Sequence, residues 1–181
     1  MKTKTIGDIA QFAIAFTFFD NTRETELSMF IEGKNILAFE RGNQPLTTRW
    51  ELDELANWLR YFIDHMEEDP YPVDTDGEYA AQKDINARDF DSDNDDEFDA
   101  YYDILDDWNL RHRWHTASSG AILADVYFQL VGDNVEISWN NTDAEEGVHF
   151  CCQLGGAKVN KNLFCTTADK FLKEYAQHWF N

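Results

Sequence analysis

Alternating apolar and polar residues near both ends of the chain predict β-strands. In the segment from about Ala10 to Phe39, the stretches FAIAFTFF and LSMFI alternate, and EGKN at Glu32 to Asn35 is typical of a turn. After Leu123 the pattern returns in LADVYFQLV and VEISW, which flank GDN, a turn rich in the residues that hairpins favour. GVHFCCQL and AKVNKNLF are two further predicted strands. Both parts of the chain therefore predict antiparallel hairpins.

Two segments carry apolar residues at the spacing of an amphipathic helix. The first, TTRWELDELANWLRYFIDHMEED, has Thr48 and Glu51 at capping-box spacing and ends before Pro70. Its apolar stripe consists of Leu52, Leu55, Ala56, Leu59, Phe62, Ile63 and Met66. The last segment, TTADKFLKEYAQHWFN, has capping-box spacing at Thr166 and Asp169, and its stripe consists of Ala168, Phe171, Leu172, Tyr175, Ala176 and Trp179. Antiparallel hairpins packed with two such helices predict an α+β fold.

The segment from about residue 74 to 99 fits neither pattern. It has few apolar residues and no sustained period, so we predict an acidic loop or partly ordered insertion within a single domain of residues 1–181. Phe90, Phe98, Tyr101 and Tyr102 punctuate its second half. We expect this half to dock onto the rest of the domain.

The negative charge of the chain is concentrated around this insertion. There are 35 acidic and 15 basic residues in total, a formal net charge of −20. From Asp64 to Asp107 we count 18 acidic and two basic residues, so −16 of that charge lies in a quarter of the chain. A surface adapted to salt would be acidic throughout, so the clustering favours a specific role. Nucleic acid and anionic membranes would be repelled as direct partners, whereas a basic protein surface would be attracted.

The stretch DDWNLRHRWHTASSG offers two candidate sites of chemistry. His112 and His115 could bind a metal with Asp106 or Asp107, but the interleaved arginines would oppose a cation. A hydrolase site would combine His115 with one of the serines at 118 and 119, but the sequence lacks the GxSxG turn. We instead expect the two tryptophans of this stretch to anchor it, with its histidines and arginines bonded to loop backbone or to neighbouring acids.

Two other metal candidates are equally incomplete. His149, Cys151 and Cys165 form a thin set of possible zinc ligands, and a cysteine on a strand is usually a small buried apolar residue. The tract DFDSDNDDEFD lacks the glycine and the final glutamate that an EF-hand loop requires at fixed positions, although its acids could bind calcium adventitiously. We therefore predict no metal, no cofactor and no enzymatic activity.

The cellular compartment is predicted from cysteine usage and hydropathy. Three cysteines, two of them adjacent, give no disulfide framework and favour a reducing cytoplasm. The chain has no apolar run of membrane-spanning length, and its first residues lack the pattern of a signal peptide. We therefore expect a cytoplasmic protein that does not contact membranes.

Two stretches, LANWLRYFIDHMEEDPYP and DDWNLRHRWHTASSGAILADVYFQLVGDNVEISW, are separated by the acidic spacer. Together they resemble the non-catalytic region ahead of the peptidase in some bacterial ImmA/IrrE-type metallopeptidases. There, a Trp-rich helix is followed by a W-x-x-x-H segment, a small-residue turn and a strand hairpin. The matching positions here are Leu55, Trp58, Leu59, Trp108, His112, Gly120, Asp125, Phe128, Asp133, Val135 and Trp139.

This resemblance spans roughly residues 48–179, because the tail also looks like the closing strands and helix of that region. It implies a structural role for a set of motif residues, namely Trp58, Trp108, His112, Gly120 and Trp139. It implies no catalysis, because the zinc-binding HExxH of that family lies in a separate domain that this sequence lacks.

The sequence leaves two functions open, beside the alternative that the acidic tract is a solubilising loop with no partner. The first is an acidic, immunity-type or anti-defence inhibitor from a phage or mobile element, similar in charge and size to some anti-CRISPR proteins and other DNA mimics, which occupies a basic, nucleic-acid-binding surface of its target. The second is a non-catalytic sensor or regulatory module that binds a peptide or small ligand. For the first, the predicted partner-binding residues are Asp89, Asp91, Asp93, Asp95, Asp96, Glu97, Asp99, Asp103, Asp106 and Asp107.

Overall fold

The computed structural model of the protein describes residues 3–19, 24–116 and 121–180. Helices and antiparallel strands are both abundant, which confirms the predicted α+β class. In chain order the elements are β1 (Lys4–Asp8), β2 (Phe12–Phe18), β3 (Glu24–Ile31), β4 (Lys34–Asn35), β5 (Ala38–Arg41), β6 (Gln44–Glu51), α1 (Leu52–Asp64), α2 (Ala80–Ala87), α3 (Asp95–His112), β7 (Val126–Val131), β8 (Asn134–Asn140), β9 (Val148–Phe150), β10 (Leu154–Asn160) and α4 (Lys161–Phe180).

The strands form two antiparallel sheets. The larger sheet has the order β1-β2-β3-β6-β5-β9, with β4 paired to β3, and the smaller sheet has the order β10-β8-β7. The predicted hairpin of β7 and β8 is confirmed, with Val131 paired to Asn134 across the turn. Strand β1 was not predicted, because it is short, largely exposed and without apolar alternation. Strand β6 was not predicted either, because its last residues were assigned to the first helix.

One apolar core joins both sheets to α1 and α4. Phe164 of α4 is fully buried at its centre. Its ring centroid lies 5.2 Å from that of Phe12 in the larger sheet and 6.2 Å from that of Phe128 in the smaller one. Phe62 of α1 contacts the rings of both Phe128 and Phe164. The predicted apolar stripe of α1 faces this core, with Ile63 and Met66 only partly buried at its end.

The predicted start of α1 is wrong by several residues. Thr48 lies in β6, opposite Leu27 of β3, and its hydroxyl donates hydrogen bonds to the carbonyl oxygens of Leu37 and Ile122. The helix begins at Leu52, and its N-cap residue Glu51 makes no side-chain capping bond. A β-branched threonine buried in a strand satisfies its hydroxyl through tertiary contacts, so its spacing to Glu51 has no capping role.

The predicted start of α4 is also wrong. The strand predicted as AKVNKNLF ends at Asn160, and the helix begins at once at Lys161, so Thr166 and Asp169 lie inside it and form no capping box. The Asn160 side chain instead accepts hydrogen bonds from the backbone N–H groups of Asn162 and Leu163. Asn160 therefore caps this helix six residues before Thr166, where the sequence pattern placed the cap.

The acidic segment of residues 74–99 is more ordered than predicted. It contains α2 and the first turn of α3, so the loop prediction is wrong for these parts. Its second half docks as expected: the ring of Phe90 stacks on Tyr101, and the Tyr102 hydroxyl donates to the backbone oxygens of Arg88 and Phe90. Small apolar residues of α2 supply a second, smaller core with neighbouring aromatic rings, composed of Tyr71, Ala80, Ala81, Ala87, Leu105, Trp108 and Tyr127.

Leu59 of α1 is fully buried in the main core, and its truncation tests the assignment of the α1 stripe. We expect Leu59→Ala to lower the free energy of unfolding by about 2 to 5 kcal/mol, through lost apolar burial and the cavity left behind. Chemical denaturation measures this difference. A loss below about 1 kcal/mol would mean that this side of α1 does not face the core.

Candidate functional site: an acidic helix anchored to the smaller sheet

Helices α2 and α3 cover the face of the smaller sheet that points away from the main core. Along β8, Val135, Ile137 and Trp139 face the main core, whereas the alternate residues Glu136 and Ser138 face α2. The Glu136 carboxylate accepts the backbone N–H of Ala80 at 2.8 Å, and the Ser138 hydroxyl accepts that of Ala81 at 3.1 Å. The alternation of VEISW thus provides the start of α2 with its capping groups from another element.

Glu136 fulfils this role while largely buried. Burial raises the pKa of its carboxyl, and the hydrogen bond from Ala80 works in the opposite direction. A buried carboxylate at a helix N-terminus is stabilised by the N–H groups and by the positive end of the helix dipole. This contact therefore locks the first turn of α2 onto the sheet.

A buried carboxylate, Asp84 of α2, joins α2 to α3 and β7. It accepts hydrogen bonds from the hydroxyls of Tyr71 and Tyr127, at 3.1 and 3.0 Å, and from the Asn109 amide at 2.9 Å. Arg88, one turn further along, lies 3.5 Å from the same carboxylate and 3.2 Å from Asp106. We call these five contacts the Asp84 cluster.

Both tyrosines of the Asp84 cluster remain hydrogen-bond donors. Burial first, and the nearby Asp84 charge second, raise the pKa of Tyr71 well above its ordinary value. The pKa of Tyr127 is raised in the same direction by burial and by the carboxylates of Asp125 and Asp84. Neutral hydroxyls and an amide donate hydrogen bonds to the buried Asp84 carboxylate, and Arg88 adds a positive charge at its edge, so the polar groups of the cluster are satisfied.

A second anchor, the Asp69–His112 pair, holds the end of α3. The His112 ring is buried; its Nδ1 donates to the Phe128 carbonyl oxygen at 2.8 Å, and its Nε2 lies 3.0 Å from the Asp69 carboxylate. Both ring nitrogens therefore face oxygen atoms, and the contact with Asp69 is an ion pair when the ring is protonated. Arg111 donates to the same Asp69 oxygen at 2.9 Å.

The charge of Asp69 follows from these contacts. Burial acts to raise the pKa of its carboxyl, but the hydrogen bonds and positive charges of His112 and Arg111 outweigh it, so the net shift is downward. The backbone oxygen of Asp69 also accepts the Trp108 indole N–H at 3.1 Å and the Gln129 amide at 3.2 Å. Asp69 therefore fastens the loop after α1 to both α3 and β7.

The predicted motif residues within the described part of the chain converge on β7. The Trp58 ring lies 4.5 Å from the Phe128 ring on the inner face, His112 binds the Phe128 carbonyl, and Trp108 stacks on His112 at 4.2 Å. Trp139 pairs with Val126 across the β7–β8 hairpin and lies against Gly155. Gly120 and the two serines at 118 and 119 lie outside the described residues. Of these residues, Trp108 and His112 hold α3 against β7 and the loop before α2.

All ten predicted partner-binding acids are exposed. Asp89, Asp91 and Asp93 lie in the link before α3, whereas α3 itself brings together Asp95, Asp96, Glu97, Asp99, Asp103, Asp106 and Asp107. Asn94 caps this helix, because its side chain accepts a hydrogen bond from the Asp96 N–H. Three acids in the first turn also stabilise the helix through its dipole, whose positive end lies there. Arg88 contacts Asp106, and Arg111 forms an ion pair with Asp107.

Four of these acids form one row, which we call the acidic stripe: Asp96, Asp99, Asp103 and Asp107. Their intervals of three, four and four residues place them on the same side of the helix, opposite the buried Leu105, Trp108 and His112. Leu110, which is 65% exposed, continues the row by one step. Leu110 was not predicted as part of this surface, because a loop was expected for the acids before it, and helical spacing has no meaning in a loop.

No group of three or more His, Cys, Asp or Glu side chains in ranges 3–19, 24–116 and 121–180 is arranged to hold a metal ion. The three cysteines are free, with Cys151 exposed. Among the described helices, none has the length and apolar character needed to cross a membrane.

Comparisons with known proteins add no relative. No protein family matches the chain, and neither a curated protein nor a solved structure matches it significantly. The resemblance to the ImmA/IrrE-type region therefore stays a prediction.

The Asp69–His112 pair predicts a specific dependence of stability on pH. The pKa of an aspartate in the unfolded chain is about 3.9, and the pKa of Asp69 is lower in the folded protein. The ionised Asp69 therefore contributes fully to folding stability above the unfolded pKa, and this contribution is lost as pH falls through the folded pKa. We expect the stability difference between wild type and Asp69→Asn to shrink as pH is lowered from neutral to about 3.

Denaturation at several pH values measures this difference. Asp74→Asn, a change at an exposed acid of the same loop, is the matched control and should have little effect at any pH. A stability difference for Asp69→Asn that stays constant over the whole range would contradict an ionised Asp69 anchored to His112.

Proposed function

We propose that this protein is an acidic inhibitor that binds a basic, nucleic-acid-binding surface of another protein. The single observation that carries the proposal is the acidic stripe, a row of exposed carboxylates on a helix whose opposite side is fixed to the sheet. The proposed partner is a protein surface, with no direct binding to nucleic acid or membrane, because the chain carries a formal net charge of −20.

The density of charge on α3 supports this proposal. Its 18 residues span about 27 Å at 1.5 Å per residue and carry seven carboxylates, or one per about 4 Å; two of these, Asp106 and Asp107, are paired with Arg88 and Arg111. One strand of B-DNA carries one phosphate per about 3.4 Å of axis. A basic groove that neutralises a nucleic-acid strand therefore meets a similar linear charge on this helix, and it would release similar counterions.

The contacts that fix α3 to the smaller sheet also support the inhibitor proposal. Long-range attraction brings a basic surface to the acids, but affinity also requires that few side chains and backbone torsions be ordered on binding. The Asp84 cluster and the Asp69–His112 pair hold α3 before any partner arrives. The conformational entropy of α3 is therefore lost on folding and not on binding, so the helix need not form when the partner binds.

The same proposal includes a cytoplasmic location and an origin in a phage or other mobile element, as for the anti-CRISPR proteins that it resembles in charge and size. Free cysteines agree with a reducing compartment.

A second candidate function is the sensor or regulatory module. It is favoured by a cleft of about 690 Å³, a volume typical of small-ligand sites, that lies beside β3 and β6. Its lining includes Phe39, Leu46 and Trp50 together with Glu24, Glu26 and Arg49. Binding of a peptide or small molecule there would leave the acidic stripe without a part in recognition, so the variants below separate the two functions.

The inhibitor proposal is tested by neutralising the acidic stripe with Asp96→Asn, Asp99→Asn, Asp103→Asn and Asp107→Asn together. A partner captured from an extract of the source organism should bind wild type in a salt-sensitive manner and be displaced by DNA or RNA. We expect the neutralised protein to associate at least about tenfold more slowly, because long-range steering is lost. Stopped-flow or surface-based kinetics at low and physiological salt measures this.

The matched control removes four exposed acids from the loops of the other strands: Asp133→Asn, Asp143→Asn, Glu145→Gln and Glu146→Gln. It changes net charge equally and should slow association much less. If both variants bind the partner like wild type, and nucleic acid does not compete, the stripe is only a solvated surface and the proposal is wrong.

A further inference from the structure

A mostly apolar cleft lies at the end of the acidic stripe. It has a volume of about 510 Å³ and lies between α1 and the last turn of α3. Trp58 and Tyr61 of α1 and Leu110 of α3 supply its apolar surface, and Glu54, Asn57 and His115 complete its lining. We call it the Leu110 cleft.

Two of the three apolar residues of this cleft, Tyr61 and Leu110, are exposed, whereas Trp58 is buried. Leu110 is 65% exposed and Tyr61 is 44% exposed, although both are large and both lie on helices whose other sides are buried. A single exposed leucine needs no explanation, but an exposed leucine and tyrosine facing one concave space form a small binding surface.

The acidic stripe leads directly into this cleft. Asp103, Asp107 and Leu110 follow at intervals of four and three residues, so the leucine occupies the next position of the same row. From Asp96 to Leu110 the row extends about 21 Å along the helix axis. The only basic side chain of α3 close to the row is Arg111, which is paired with Asp107 and Asp69. Charge and apolar surface therefore form one continuous face.

We propose that the Leu110 cleft receives an apolar side chain from the partner, next to the basic residues that meet the acidic stripe. The occupant is a protein segment with a row of Lys or Arg and a Phe or Leu at one end. Charge complementarity selects it: the carboxylates exclude acidic segments from the approach to the cleft. A nucleic-acid strand offers no matching pair of basic and apolar groups.

This inference rests on the proposed function and makes it more specific. Many basic proteins would be attracted to the stripe alone, because exposed charges discriminate weakly among cationic surfaces at physiological salt. A buried apolar anchor next to the charged row would add affinity only for a partner with the matching side chain. The cleft is thus the specificity element of the surface.

The test uses three synthetic helical peptides with the same row of lysines, about 21 Å long. One has phenylalanine at the N-terminal end of the row, one has it at the C-terminal end, and one has alanine at both ends. Binding to the full-length protein is measured by fluorescence anisotropy at two salt concentrations. We expect one phenylalanine peptide to bind about tenfold more tightly than the alanine peptide, the change expected for burying most of one such side chain.

Two exposed-residue variants locate the effect. Leu110→Asn should remove the tenfold preference, whereas Ile104→Asn, an equally apolar and 52% exposed position of α3 away from the row, should keep it. Circular dichroism of both variants checks that α3 remains helical. The preference itself should persist at higher salt, because apolar burial is not screened.

The outcomes separate the two proposals. Equal, salt-sensitive binding of all three peptides overturns the role of the cleft and leaves the inhibitor proposal in place. A phenylalanine preference that Leu110→Asn does not change also overturns it. A preference without any salt dependence supports the cleft but contradicts the acidic stripe, and absence of binding by every peptide contradicts both.

Discussion

The arrangement of α2 and α3 depends on one constraint: a helix that exposes a row of carboxylates must be held by contacts on its other side. Like charges on one helix face repel, and each such pair costs a few tenths of a kcal/mol. In this protein the buried side of α3 carries Trp108, Asn109 and His112, each bonded to another element. Two acids, Asp69 and Asp84, accept most of these bonds. Part of the negative charge of the chain is therefore used internally to fix the rest in place.

This division explains how one acidic region serves two purposes. Asp84 is buried among hydroxyl and amide donors, and the Asp69 carboxylate contacts the His112 ring and the Arg111 guanidinium. Asp96, Asp99 and Asp103 have exposed side chains on the opposite side of the same unit. Acids that accept several hydrogen bonds within the protein stabilise its structure, whereas exposed acids without such partners create a field that acts on other molecules. The proposed function needs both kinds, because a flexible row of acids would bind basic surfaces with less selectivity.

Local patterns were sufficient to predict much of the fold. Alternation in VEISW correctly predicted a strand, and the three-four spacing of Leu55 and Leu59 correctly predicted a buried helix face. The pattern failed for α2 and α3, because their stabilising partners are remote. Ala80 is capped by Glu136, 56 residues away, and Asp84 bonds Tyr127, 43 residues away. Neither contact produces a periodic pattern in the sequence. A segment with many acids and few apolar residues was therefore predicted as a loop.

The candidate site was predictable as a composition but not as a shape. The ten predicted acids are all exposed, yet only helical geometry selects the four that share a row and reveals Leu110 as its continuation. The sequence predicted hydrogen bonds from the histidines to backbone or to acids, but only the tertiary structure identifies the partners of His112, the carbonyl oxygen of Phe128 and the carboxylate of Asp69. Charge count thus points to a surface, and tertiary contacts define what it presents.

Hydrogen exchange of the free protein tests the central claim most directly, namely that α3 is rigid before it meets a partner. Backbone amides from Asp103 to His112 should be protected to nearly the same degree as those in the middle of α1, at low salt and without any ligand. Exchange of these amides at the rate of an unfolded peptide, while α1 stays protected, would show that the acidic helix is not preformed. The account of an anchored carboxylate row would then be contradicted.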